Sequence, residues 1–204
     1  MIGRAWLVAA LVVALSLAAQ ASEIELSGAE GHPRERFPLR VWAAPFNDAA
    51  LDGAVRRAID DWNTLAREVL GVTAFTPAGE RETAQFIIGI ATPTDSGRLR
   101  GFTELSAAEA GVVTLPVRIT IVEPAAWGQT SRETLLYQVV AHELGHALGL
   151  PHVRDPRSLM CCVKGSIDFN DPVARDTYIE ARRHPDVRSV REELARHYAR
   201  FWGR

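Results

Sequence analysis

The order of elements along the chain predicts an α+β fold. Strand patterns fill its first half with one helix among them, helical periodicity dominates its end, and no regular βαβ repeat is present. Size and composition agree with that class. A chain of 204 residues suits one domain, and 47% apolar with 24% charged residues excludes a disordered or low-complexity polymer. The net charge of −2 argues against binding nucleic acid through phosphate neutralisation, and two Cys cannot build a disulfide scaffold.

Residues 1–21 read as a secretory signal: one positive charge by Arg4, an uncharged apolar run from Ala5 to Ala19, and the small-x-small exit Ala19-Gln20-Ala21. The apolar run is shorter than the roughly 20 residues a membrane span needs, so no stable anchor remains after cleavage and the product is secreted or periplasmic. Residues 22–204 then form a single domain. Its polar segment 22–36 reads as an extended lead-in.

Residues 37–44 alternate enough for a strand that Pro45 closes. Asn47 and Asp48 offer a helix cap, and Leu51, Val55, Ala58, Ile59, Trp62, Leu65, Ala66 and Val69 follow at helical spacing until Gly71. Strands are predicted at 72–75 and at 84–91, the second apolar enough to be buried on both faces. Turn residues crowd 92–110, and 111–123 holds a further strand or a hairpin. A long helix runs from about 131 to 148, with Thr130 and Glu133 as its capping box. Helical pattern returns over 171–202 with a break at His184-Pro185. In its last part Val187, Val190, Leu194, His197, Tyr198 and Phe201 share one side. That stripe reads as a core-packing face, with docking of a partner as the alternative.

The chemistry lies in His142-Glu143-Leu144-Gly145-His146-Ala147-Leu148-Gly149-Leu150-Pro151-His152. A spacing of four stacks His142 and His146 on one helix face, as two ligands of one ion require. Glu143, beside the first ligand, is where a carboxylate can take a proton from water activated by a metal. Gly149 permits a left-handed residue that turns the chain back, so that His152 supplies a third nitrogen. Three protein ligands leave a fourth position open, the arrangement of a catalytic Zn2+ site. Three His, one Glu and one Gly at this spacing would arise by chance in about one in 10⁵ chains of this length. Of the other histidines, His32, His184 and His197 have no second ligand at useful spacing and read as surface residues.

HELGHALGLPH resembles the H-E-x-x-H-x-x-G-x-x-H motif of the metzincin metallopeptidases, in wording nearest the matrixin branch. Met160, eight residues past His152, stands where that family has a Met-containing turn beneath the metal, and the helix around Asp60-Asp61-Trp62 is similar to the one that backs its sheet. The resemblance implies a mixed twisted sheet with backing helices above a zinc cleft. Residues 37–152 would form this upper part, and 153–204 a smaller, mostly helical C-terminal subdomain. It implies His142, His146 and His152 as metal ligands, Glu143 as general base, Gly149 and Met160 as supports, and a protein or peptide substrate lying extended along an edge strand. The activity so implied is that of a zinc endopeptidase. A zinc-binding scaffold of the same fold and a hydrolase of non-peptide amides are the alternatives. One departure stands out: Cys161-Cys162 occupy the place where many relatives carry Tyr-Pro. A disulfide between neighbours closes a strained ring, which favours free thiols or an intermolecular bridge.

Overall fold

The computed structural model describes residues 26–91, 100–125 and 130–203, so the signal expected at 1–21 lies outside the described residues. Among the described residues five strands form one mixed sheet: β1 (Leu39–Ala43), β2 (Phe75–Pro77), β3 (Phe86–Ala91), β4 (Gly101–Glu104) and β5 (Val117–Val122). Their order is β2-β1-β3-β5-β4, parallel throughout except for the antiparallel edge strand β4. Alternation places them. In β5, Val117, Ile119 and Ile121 enter the core while Arg118 faces solvent, and the central β3 buries Phe86, Ile87 and Ile88 in succession.

Helix α1 (Ala49–Leu70) starts where the Asp48 carboxylate accepts the backbone N–H groups of Ala50 and Leu51, and ends at Gly71 with φ +68°. Its face of Leu51, Ala54, Val55, Ala58, Trp62, Leu65 and Ala66 is buried. Helix α2 (Arg132–Ala147) packs beside it, and the Trp62 indole N–H donates to the carbonyl of Ala141 at 2.9 Å. Helix α3 (Pro172–Arg183) buries none of its residues. The chain breaks at His184, makes a 3-10 turn over Val187–Val190 and continues as α4 (Arg191–Trp202). Val187, Val190, Leu194 and Tyr198 join the same core as α1 and α2, so the apolar stripe is occupied from within.

Four expectations need correction. The cap of α2 is Ser131, whose hydroxyl accepts the N–H of Thr134; the Thr130–Glu133 box is not what closes it. The second strand begins at Phe75, not at 72, because Asn63 of α1 grips the backbone N–H and carbonyl of Phe75 at 2.7 and 3.1 Å. Strand β4 arises inside the turn-rich segment 92–110, where no alternating apolar pattern announces it. Finally, His32 and His197 are not surface residues; they are 0% and 2% exposed, while His184 does lie on the surface. The lead-in is clasped into the fold. Gly31 bridges to Val112, and the Trp202 indole N–H donates to the His32 carbonyl at 2.9 Å.

Candidate metal centre

The end of α2 is built by its own last residues and by segments far away in sequence. Gly149 takes φ +91°, its N–H donates to the His146 carbonyl at 2.8 Å, and the Leu150 N–H donates to the Gly145 carbonyl at 3.0 Å. This pair of bonds is a Schellman closure, which only a residue at ease with positive φ completes without strain. A Cβ there would also lie 2.2 Å from the Glu30 carbonyl oxygen. The next two carbonyls of the helix are satisfied from afar: His32 Nε2 donates to Ala147 at 2.9 Å and the Tyr198 hydroxyl donates to Leu148 at 3.0 Å. Glycine thus turns the chain, and three residues later His152 arrives opposite the helix.

His142, His146 and His152 converge there. Their ring nitrogens lie within 4.8 Å of one another, with Nε2 of His152 3.2 Å from that of His142 and 3.1 Å from that of His146. Ligand nitrogens of a tetrahedral zinc, at roughly 2.0–2.1 Å from the ion, stand about 3.3 Å apart. The donor set therefore fits such an ion. The opposite nitrogens of two rings are already committed: Nδ1 of His142 donates to the Leu159 carbonyl and Nδ1 of His146 to the Leu150 carbonyl, both at 2.8 Å. Each bond fixes the tautomer that leaves Nε2 with a lone pair. Burial first, then the neighbouring imidazoles, pushes the His142 pKa down to about 3 and that of His146 to about 4. Both rings are neutral at physiological pH, the form that binds a metal.

Beneath the histidines runs the turn Ser158-Leu159-Met160. Met160 is fully buried, and its sulfur lies so close to α2 that a Cβ at Gly145 would come within 2.4 Å of it. The turn is tied down from three sides. The Ser158 hydroxyl accepts the Met160 N–H, the Ser189 hydroxyl accepts the Leu159 N–H, and the Arg182 guanidinium donates to the Ser158 and Cys161 carbonyls. Val153 pairs with Cys161 across a short parallel bridge, which fixes the backbone beside His152. The expectation of free thiols is overturned here: Cys161 and Cys162 form a vicinal disulfide, across a cis peptide that brings their Cα atoms to 3.0 Å.

Glu143 is 6% exposed, and its Oε2 accepts a hydrogen bond of 2.7 Å from the Thr103 hydroxyl of β4. The structure brings the expected Glu143, Gly149, Met160 and the three histidines together at the end of α2, and it adds Thr103, Gly145, Arg182 and His32, which the sequence reading did not single out. Only Gly145 carried a readable signal, a small residue inside the helical motif. The other three reach the site through tertiary contacts.

Comparison with known proteins agrees with this geometry. The profile of the matrixin family matches residues 41–171, which take in β1 from Val41 onward, strands β2 to β5, helices α1 and α2, the three histidines and the Met160 turn. A stretch of 48 residues is 46% identical to macrophage metalloelastase of Oryctolagus cuniculus; it covers 24% of this chain and 10% of that protein. The shared region is thus about a tenth of the relative's length. With a family profile that covers well over half its length, the chain belongs to the matrixin family.

Proposed function

We propose that this protein is a zinc-dependent endopeptidase that hydrolyses peptide bonds of protein or peptide substrates. The observation that carries the reading is the convergence of three imidazole nitrogens beside a buried carboxylate that is itself held by a hydrogen bond. His142, His146 and His152 would hold the ion. Zinc bound there supplies Lewis acidity that polarises the scissile carbonyl and favours ionisation of water near neutral pH. Glu143 accepts the proton of the attacking water and delivers it to the leaving nitrogen. The Leu159 and Leu150 carbonyls hold two of the rings from behind, so these ligands need not reorganise. Strand β4 pairs with β5 along one side only, among the described strands, and an extended peptide would add to the other.

A purely structural zinc site has no need of a carboxylate beside an open ligand position, which favours the enzyme over a scaffold of the same fold. Export rests on the pattern of residues 1–21, and among the described residues no helix is long and apolar enough to cross a membrane. N-terminal sequencing of the exported chain should begin at Ser22. The test of the activity is direct. Purified protein should hold about one zinc, cleave unfolded casein, stop when the metal is chelated and resume when zinc is returned. Cleavage that persists after complete removal of metal would overturn the reading.

A further inference from the structure

Strand β4 crosses close over α2, and alternate residues of a strand share a face. Gly101 and Thr103 both turn toward the helix. A Cβ at Gly101 would lie 2.7 Å from Val139 Cγ1 and 3.2 Å from both Cγ and Oε1 of Glu143, so no side chain fits between strand and carboxylate at that point. Two residues on, the Thr103 hydroxyl oxygen lies 2.7 Å from Glu143 Oε2 and 3.1 Å from the Glu143 carbonyl oxygen. A hydroxyl has one proton to give, and the shorter bond to an ionised group is the stronger of the two. The strand thus offers a gap at one position and a donor at the next residue on the same face.

We infer that Thr103 is a positioning residue for Glu143: its hydroxyl fixes the carboxylate through Oε2, in the space Gly101 leaves open, so that the base meets substrate in one orientation. The inference rests on the reading of Glu143 as general base given above. Glutamate has three rotatable bonds, and a base that must be found among several rotamers at each turnover loses the advantage of alignment. The bond reaches Glu143 from the edge strand that would receive the peptide. The element that binds substrate therefore also aligns the base.

Thr103→Val keeps the branched shape and removes the donor, whereas Thr103→Ser keeps the donor and removes a methyl group. In the full zinc-loaded chain acting on a casein-derived peptide, Thr103→Val should lower kcat roughly ten- to a hundredfold with KM within about twofold. Zinc content should not change, and Thr103→Ser should recover kcat to within about threefold of the parent. Thr103→Ala, which only shortens an edge-strand side chain, carries the same expectation should the valine variant not fold. A second readout needs no turnover. In protein labelled with ¹³C at glutamate carboxyls, the Glu143 resonance, identified by its loss in Glu143→Gln, should move in Thr103→Val and stay in place in Thr103→Ser. An active parent with an unchanged kcat in Thr103→Val, or a serine variant as impaired as the valine one, overturns the inference and leaves the endopeptidase reading standing. If the parent itself cleaves nothing, that reading fails, and the carboxyl resonance alone decides whether Thr103 holds Glu143: displacement supports it, an unmoved signal overturns it.

Discussion

Histidines flank the end of α2 on two sides, half-buried in the cleft and fully buried behind it, and they spend the same ring in opposite ways. On the cleft side His142 and His146 give their Nδ1 protons to backbone carbonyls and turn Nε2 toward a third imidazole. On the far side His32 gives its Nε2 proton to the Ala147 carbonyl and so serves as a cap for the same helix. Burial keeps all three rings neutral, lowering His32 to about 4 as it lowers His146. The role of a buried histidine is decided by which nitrogen the backbone consumes. Consuming Nδ1 leaves the outer nitrogens to converge, whereas consuming Nε2 in His32 leaves an Nδ1 that faces the Arg36 guanidinium at 3.5 Å instead of another imidazole.

The sharpest way to break this comparison is to remove one histidine from each side. His146→Ala should weaken zinc binding by roughly two to three orders of magnitude, its share of a total binding free energy of about 10–16 kcal/mol. His32→Ala should leave zinc affinity within about threefold, since no ligand nitrogen is lost, and should lower the melting temperature instead. Competition with a chromogenic chelator checks both. Equal loss of zinc from the two variants would erase the distinction drawn here.

How much of this could be read from the sequence follows from the same contrast. The cleft side is encoded within eleven consecutive residues, because helical spacing stacks His142 on His146 and Gly149 returns the chain to His152. The far side is assembled from His32, Gly149 and Tyr198, and no local pattern links them; a lone histidine in a polar segment looks like a solvated one. For the same reason α1, with its cap and C-terminal glycine, was legible almost to the residue. Four-residue β4, whose partner is β5 and whose purpose is Glu143, was not. The disulfide between Cys161 and Cys162 went against expectation, since two neighbouring cysteines carry no pattern that tells a bridge from two free thiols.

The acid limb of stability sharpens the comparison further. The His32 pKa is lower in the folded chain than in the unfolded one, so the unfolded chain takes up its proton first as pH falls. The stability tied to a neutral His32 is fully present above pH 6.5 and is lost as pH falls toward 4. This is a shift of about two and a half pH units, or about 3 kcal/mol. His32→Asn should remove that part of the pH dependence relative to the parent, as measured by urea unfolding of the zinc-loaded proteins. An acid limb of the same steepness in both would show that the lead-in histidine does not govern it.

A smaller effect is expected from Gly145→Ala. Alanine in a helix ordinarily stabilises by about 1 kcal/mol over glycine. Here its Cβ would press on the Met160 sulfur and stand 3.3 Å from Trp62 Cζ2, so the sign should reverse to a loss of about 1–3 kcal/mol. Thermal melting checks it. A more stable variant would mean that the methionine turn yields more easily than its ties to Ser189 and Arg182 suggest.

The central claim joins a metal to a carboxylate, and one paired measurement reaches both. Zinc content and casein hydrolysis are determined side by side for the parent and for Glu143→Ala. Glu143 is not among the three converging imidazoles, so the variant should hold the same single equivalent of zinc while its turnover falls by several orders of magnitude. A variant that holds zinc and cleaves as fast as the parent would contradict the assignment of Glu143 as the base.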